Sequence, residues 1–589
     1  MAQSRSQRRR ALMERRARSS LAAAAEASLV APERRAVALR EVERAERWVD
    51  LVHHTPLVTI DVELLRSAVR FAFESGDAGG LLGKAVDEAP VAESRWDPEV
   101  FGGSLFLREL LASSFTIRID RTTYEPSQRY LATMLSHPPL ERRDVDTRQG
   151  VLRELVGDDA LRSALSKVYV ALRELRGLLD ERPMSPGETI RRKVEVLGAL
   201  KSFLDHADEG LASATSALSR LHTFAHEVRE SEAYTRLSQL LDFDRNMAVN
   251  EVRIVLGSDG KIRDFRLMAA SENRENPLVL SPWKRVWSRL VAWLRGYQYT
   301  ESEVLLRVID DVFRELEDVI LPCFELIGHV ELYLSALGFR DRVEKAGLEV
   351  CLPEIEDAPI DPEVRGGFAL EGLFNPLLLL QDIVPVPCTI ETSGHDALLL
   401  VTGPNSGGKT RMLQAVALSQ LLGQSGLFVP AKRAKLTHAP TMFVSLVEGA
   451  PADQREGRLG TELVRVRQCF EQLEPGSMVI LDELCSGTNP SEGIAIFEMV
   501  ISLLPRLRPQ VLVTTHFLDA ARELEEEKKV ERLEFLQVEL DEDEKPTYQF
   551  VPGVAPTSLA HAVASRLGVT REELEALVER QEKKAFPAG

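Results

Sequence analysis

The sequence predicts a chain in two parts: a long, mainly α-helical region carrying a small β-hairpin, then an α/β domain on a mainly parallel sheet. Three observations predict it. From Ser127 to about Glu230, Leu, Val and Ala recur at three- and four-residue spacing, as in "LRSALSKVYVALRELRGLL", which is the period of a helix with one buried face. The stretch "NEVRIVLGSDGKIRDFRLMA" alternates apolar and polar residues on both sides of Gly257-Ser258-Asp259-Gly260, a hairpin pattern. From about residue 370, short apolar runs alternate with helical stretches, the rhythm of parallel strands joined by crossover helices.

The whole chain sets bounds on each part. At 589 residues and 65.7 kDa it is too long for one hydrophobic core, so three or four domains or subdomains are expected. Hydrophobic residues at 44% and charged residues at 28% are ordinary for a soluble globular protein. A net charge of −18 argues against generic coating of nucleic acid and leaves room only for a local basic patch. The five cysteines, Cys323, Cys351, Cys388, Cys469 and Cys485, form no CxxC pair. That indicates neither a disulfide framework nor a zinc site and fits a reducing cytoplasm. No apolar run approaches the roughly 20 residues needed to span a bilayer, so no integral membrane association is expected.

Residues 1–48 read as a basic helical arm. Its first twenty residues hold seven arginines against one glutamate, without the apolar core of a secretory signal. The composition suits a solvated tail or a weak nucleic-acid contact, and a mitochondrial transit peptide shares it. Residues 49–125 show a mixed pattern and stay unassigned. Residues 126–369 read as the helical region, with helices resuming from Pro282 to about Leu337 after the hairpin. "LPEIEDAPIDPEVRGG" then reads as a connector. Within this region, "PWKRVWSRLVAWLRGYQY" places Trp283, Val286, Trp287, Leu290 and Leu294 on one helical stripe. Lys284, Arg285, Arg289 and Arg295 lie on or beside the other face. Such a helix packs its tryptophans into a core, contacts a DNA backbone, or lies on a membrane surface.

The chemistry sits in the α/β part. "LLLVTGPNSGGKTRMLQAVALSQ" contains Gly403, Pro404, Asn405, Ser406, Gly407, Gly408, Lys409 and Thr410, which fit G-x-x-x-x-G-K-[ST] after a strand and before a helix. Glycines let successive backbone N–H groups turn inward and cradle phosphates, and the helix N-terminus adds positive potential. Lys409 is expected to reach the terminal phosphates of ATP and the Thr410 hydroxyl to bind Mg²⁺. In "GSMVILDELCSGTNPSEG", the apolar run Met478 to Leu481 delivers Asp482 and Glu483 to the C-terminal edge of the sheet, where ligands bind in open α/β folds. Asp482 is expected to hold Mg²⁺ and Glu483 to orient or deprotonate the attacking water. "QVLVTTHF" is another strand, with His516 at its end as a γ-phosphate contact.

"TGPNSGGKT", "LLGQSGLFVPAKRAKL", "ILDELCSGTNPSEG" and "TTHF" together resemble the ATPase of the MutS family, in the ABC-type branch of phosphate-loop ATPases. "YQFVPGVAPTSLAHAVASRLGVTREELEALVER" is similar to that family's C-terminal strand and helix pair. "DRTTYEPSQRYLATMLSHPPLERRDVDTRQGVLREL" is similar to the start of its helical core, and "LEGLFNPLL" to the segment before the ATPase. The resemblance runs from about Asp120 to Glu579, strongly from Leu373 onward. It implies an ABC-type ATPase domain at residues 370–555 using ATP and Mg²⁺, behind a core, lever and clamp, with a C-terminal helical dimerisation element at 556–589.

The sequence departs from the family pattern in places. Arg411 follows Lys409-Thr410 where Lys-Ser-Thr is common. Gly460 and Thr461, in "EGRLGTELVRVRQ", occupy the Ser-Thr positions that would face a partner's nucleotide. "QDIVPVPC" holds no aromatic residue, so adenine would rest on Ile383 or Val384. No Phe-x-Glu wedge precedes the core, and Phe313-Arg314-Glu315 falls inside an amphipathic helix as packing. The resemblance therefore implies a homodimeric, ATP-gated clamp on DNA in repair or recombination, related to mismatch repair but without its mismatch reader or a nuclease-like tail. The other reading is an ATP-gated module acting on a ribonucleoprotein or protein partner, with no DNA role.

Overall fold

The computed structural model describes residues 48–58, 60–76, 80–87, 96, 102–183, 186–246, 249–256, 262–271, 301–357, 367–446, 457–485, 489–556 and 569–585. Residues 1–47 of the basic N-terminal arm, the hairpin turn at 257–260 and the helix expected at 283–295 lie outside these residues, while Trp48, the last residue but two before Leu51 and the end of the expected arm, is buried in the core.

The helical body begins with α1 (Val62–Ser75), α2 (Leu81–Asp87) and α3 (Leu107–Ser114), then a small hairpin of β1 (Ile117–Ile119) and β2 (Thr122–Tyr124). It continues through α4 (Gln128–Ser136), α5 (Arg142–Gly157), α6 (Asp159–Asp180), α7 (Pro186–Gly210), α8 (Leu218–Arg229) and α9 (Glu232–Asn246). Start signals are visible locally: Asp61, Ser127 and Asp158 each accept backbone N–H groups of the first turn they cap. An antiparallel pair, β3 (Val249–Leu256) and β4 (Ile262–Ser271), stands where the hairpin was expected.

Helix α10 (Glu301–Lys345) is the mast of this body, and it runs eight residues beyond the end expected near Leu337. Leu306–Lys345 is apolar and long enough to cross a membrane, yet 94% of its most apolar window is buried inside the protein. That window is a core segment surrounded by the other helices, while the first turns of α10 keep an exposed charged face at Asp311 and Arg314. Phe313 stacks on Phe73 of α1 with ring centroids 3.7 Å apart, so the Phe313-Arg314-Glu315 triplet does serve packing.

The α/β part holds two sheets. β5 (Glu354–Asp357), β6 (Ala369–Leu373), β7 (Cys388–Glu391) and β9 (Arg433–His438) form a four-stranded sheet in the order β5-β9-β6-β7. The main sheet contains β8 (Leu398–Thr402), β10 (Met442–Ser445), β11 (Met478–Leu481), β12 (Gln510–Thr514), β13 (Leu533–Leu540) and β14 (Pro546–Pro552). Its order is β10-β11-β12-β8-β13-β14, parallel except for β14. Around it lie α11 (Lys409–Gln424), α12 (Gly457–Gln472), α13 (Pro490–Leu503) and α14 (Leu518–Glu527), with α15 (Arg571–Ala585) last.

Alternation along the strands divides the core. Leu399 and Val401 of β8 join the cluster that extends back through the helical body to Trp48, while Leu398 and Leu400 join a second cluster with Phe497 and Phe517. Helix α11 is buried from Met412 to Gln424. Its buried amide nitrogens find partners inside: Gln420 donates to Thr437 O at 2.8 Å and Gln424 to Ala439 O at 2.7 Å.

Candidate functional site

The order of the main sheet puts β11, β12 and β8 side by side, so the residues that follow them converge at one edge. Leu481 pairs with Val513, and Thr514 with Val401. Beyond β8 the chain turns through the glycine loop into α11. Gly403 at φ 132° and Gly408 at φ 83° occupy backbone regions that side chains rarely adopt. A Cβ on Gly403 would also lie 2.8 Å from a Val538 methyl. Asn405–Gly407 form a single 3₁₀ turn between them.

Lys409 is 2% exposed, and its Nζ donates to the carbonyls of Gly403 at 2.8 Å and Pro404 at 3.1 Å. Burial lowers its pKa, while Glu483 and Asp482 pull the other way. The loop thus folds around its own lysine, leaving an ammonium group where an anion would be received. Thr410 Oγ1 donates to Asp482 Oδ2 at 2.7 Å, so the first turn of α11 and the end of β11 share one hydrogen bond. Thr514 Oγ1 donates to the other oxygen, Oδ1, at 2.6 Å and accepts the Glu483 N–H at 2.8 Å. Glu483 itself sits at φ 47°.

His516 follows β12, its ring centroid 4.2 Å from that of Phe517. Burial lowers its pKa and Lys409 adds to this, with Glu483 opposing. The imidazole is therefore neutral near pH 7 and can donate one hydrogen bond to an anion. All the loop, strand-end and histidine residues singled out in the sequence thus gather at one sheet edge.

The cleft over the loop has a volume of about 880 Å³. Ile383 and Val384 line it, and so do three aromatic residues that the sequence reading did not find: Tyr548 and Phe550 of β14, and Phe106. Tyr548 Cδ1 would be 3.2 Å from a Cβ on Gly408, so the aromatic surface lies directly beside the loop. Tyr548 and Phe550 lie in the "YQFVPGV" stretch that resembles the family's C-terminal strand, but only sheet pairing of β14 brings them to the cleft. Thr514 was also missed, although "TTHF" places two hydroxyls before the histidine.

The donors fit ATP with Mg²⁺. A hydroxyl and a carboxylate at hydrogen-bond distance are oxygen ligands for a hard cation that keeps waters and phosphates in its shell. The positions expected to face a partner, Gly460 and Thr461, lie at the start of α12. Asn489 caps α13 by accepting the Ser491 N–H at 3.2 Å, and both residues are exposed.

Comparison with known proteins converges on the same region. A family profile described as MutS domain V matches residues 399–583. The chain is 33% identical over 496 residues to "Endonuclease MutS2" of Thermus thermophilus, covering 79% of this chain and 63% of that protein. It is 28% identical over 432 residues to the protein of that name from Thermomicrobium roseum, covering 69% and 50%. It is 27% identical over 311 residues to that from Clostridium tetani, covering 49% and 38%. The matches thus span between 38% and 63% of these relatives' lengths. With the loop, the two carboxylates and the histidine at one sheet edge, these likenesses make the chain a member of the MutS family of ATPases.

Proposed function

We propose that this protein binds ATP with Mg²⁺ in the cleft, hydrolyses it to ADP and phosphate, and works as a homodimeric, ATP-gated clamp on DNA. The observation that carries the reading is the Thr410–Asp482 contact, with Glu483 and His516 at the same edge. The loop from Gly403 to Thr410 receives the phosphates, and Lys409 exchanges its two loop carbonyls for the terminal phosphate oxygens. Thr410 and Asp482 hold the cation, which supplies charge neutralisation when bound. Glu483 orients or deprotonates the attacking water, and His516 hydrogen-bonds the γ-phosphate. Tyr548 and Phe550 give adenine a stacking surface beside Ile383 and Val384.

The DNA role rests on family membership and on relatives whose name is that of an endonuclease. We place the activity in cytoplasmic DNA repair or recombination without mismatch reading. The deciding experiment is ATPase rate with and without duplex, mismatched and branched DNA. Stimulation by DNA supports the clamp, and a rate indifferent to every DNA moves the protein to a ribonucleoprotein or protein partner.

A further inference from the structure

Thr514 ends β12 and is fully buried. Because β11 and β12 are parallel with Leu481 opposite Val513, the next residues, Asp482 and Thr514, leave the sheet side by side. The Thr514 hydroxyl is used twice. It donates to Asp482 Oδ1 at 2.6 Å and accepts the Glu483 N–H at 2.8 Å. These two bonds fix each other's direction: a backbone N–H can only donate, so the hydroxyl proton is left for the carboxylate. Asp482 is consequently held from both sides, by Thr410 on α11 at Oδ2 and by Thr514 on β12 at Oδ1. Glu483 occupies the left-handed backbone region at φ 47°, which residues other than glycine seldom adopt, and its N–H is the group tied to Thr514.

We propose that Thr514 is a positioning residue for ATP hydrolysis, orienting the Asp482 carboxylate toward the cation and holding the Glu483 backbone in its left-handed turn. This rests on the ATPase reading above. One hydroxyl thereby sets the geometry of both carboxylates, the one that holds the cation and the one that acts on water. The neighbouring Thr515 cannot substitute, because its hydroxyl accepts the Phe517 N–H at 3.0 Å in a local turn. Nor does β-branched bulk suffice. Valine has nearly the shape of threonine but neither the donor nor the acceptor, whereas serine keeps both.

The test compares Thr514→Val and Thr514→Ser with wild type. Three quantities are read: steady-state turnover, affinity for a fluorescent ATP analogue in EDTA, and the Mg²⁺ concentration needed for half-maximal enhancement of that affinity. Losing a hydrogen bond to a charged group should lower turnover in Thr514→Val by about 10- to 100-fold. The Mg²⁺ requirement should rise by about 10-fold for the same reason. Metal-free nucleotide affinity should stay close to wild type, since the loop is untouched. Thr514→Ser should restore turnover and Mg²⁺ requirement. Wild-type turnover and Mg²⁺ dependence in Thr514→Val would overturn the proposal, and so would equal impairment in Thr514→Ser, which indicates packing alone. Should Thr514→Val fail to fold, Thr514→Ala removes the same two contacts, and parity between Thr514→Ala and Thr514→Ser overturns the proposal. Failure of the ATPase reading is distinguishable, because then wild type itself shows no turnover and Lys409→Ala binds nucleotide as wild type does.

Discussion

Arg148 Nη1 donates to the carbonyl of Ser425 at 3.1 Å, the residue that ends the helix beginning at Lys409. Its Nε donates to Val52 O at 3.0 Å, so one guanidinium joins α5, the segment before α1 and the far end of α11. Arg148 is fully buried, and burial lowers its pKa. In place of a carboxylate it meets the negative end of a helix dipole. Gly426 at φ 81° allows this approach, since a Cβ there would lie 2.7 Å from that of Arg148. The nucleotide loop thus opens a helix whose other end is seated on the helical body.

Arg148→Ala should therefore destabilise the protein by about 3–5 kcal/mol, from a cavity plus two buried carbonyls left unpaired. Urea titration followed by circular dichroism reads this. A loss under about 1 kcal/mol would mean that water or a neighbour replaces the guanidinium.

Lys409→Ala should abolish tight ATP binding, because the cation at the loop is removed. Glu483→Gln should leave binding intact and lower turnover by about 10²- to 10⁴-fold, since only the group acting on water is changed. Nucleotide affinity and steady-state rate on both variants check this. Normal turnover in Glu483→Gln would remove that residue from the chemistry.

Helix α15 exposes Leu574, Leu577 and Val578, which are 44%, 51% and 57% accessible. With Asn489 and Ser491 exposed at the start of α13, a two-fold dimer is expected, tightened by ATP. Light scattering with and without ATP, on wild type, Glu483→Gln and Leu577→Glu, tests it. A monomer under every condition would sink the dimer.

His329 gives a pH dependence whose sign can be worked out. It is buried on α10, with Asp50, His53 and Arg148 nearest among charged groups, and burial brings its pKa from 6.5 to about 4. Below pH 6.5 the unfolded chain takes up a proton that the native state refuses. Stability should thus fall as pH drops from about 6.5 toward about 4, by at most about 3 kcal/mol from this group. Denaturation midpoints from pH 7.5 to 4.5 should decline less steeply in His329→Gln. Equal slopes would assign the effect elsewhere.

What was legible in the sequence and what was not have physical causes. Gly403 and Gly408 were readable because their backbone angles exclude other residues, and Asp482 because four buried apolar residues lead to it. Thr514 was invisible, since a threonine at a strand end is an ordinary β-former and only strand pairing brings it to Asp482. Tyr548 reaches the cleft the same way. Residues 49–125 stayed unassigned because their helices are short, and they bury residues such as Phe73 against the distant α10 rather than by a long periodic pattern. Pro322, a helix breaker by itself, lies inside α10, where packing on all sides overrides local propensity.

DNA binding is the last expectation, and its signature is in salt. On the proposed reading, in which no mismatch is read, affinity should come mainly from phosphate contacts, which carry no sequence information. A chain of net charge −18 can make them only through local basic surfaces. The arginine-rich first twenty residues and the stretch from Trp283 to Arg295 are the candidates in the sequence. Each neutralised phosphate releases condensed counterions, so affinity should fall steeply as salt rises, with a log–log slope of about −0.9 per contact on duplex DNA. Replacing Lys284, Arg285 and Arg289 together should weaken binding and flatten that slope by up to about 3. A mismatch in an otherwise identical duplex should change affinity little. Titrating wild type and the triple variant against homoduplex, mismatched and branched DNA at several salt concentrations tests all of this. A strong mismatch preference would restore a reading function, and an unchanged slope in the triple variant would move the contact to another surface.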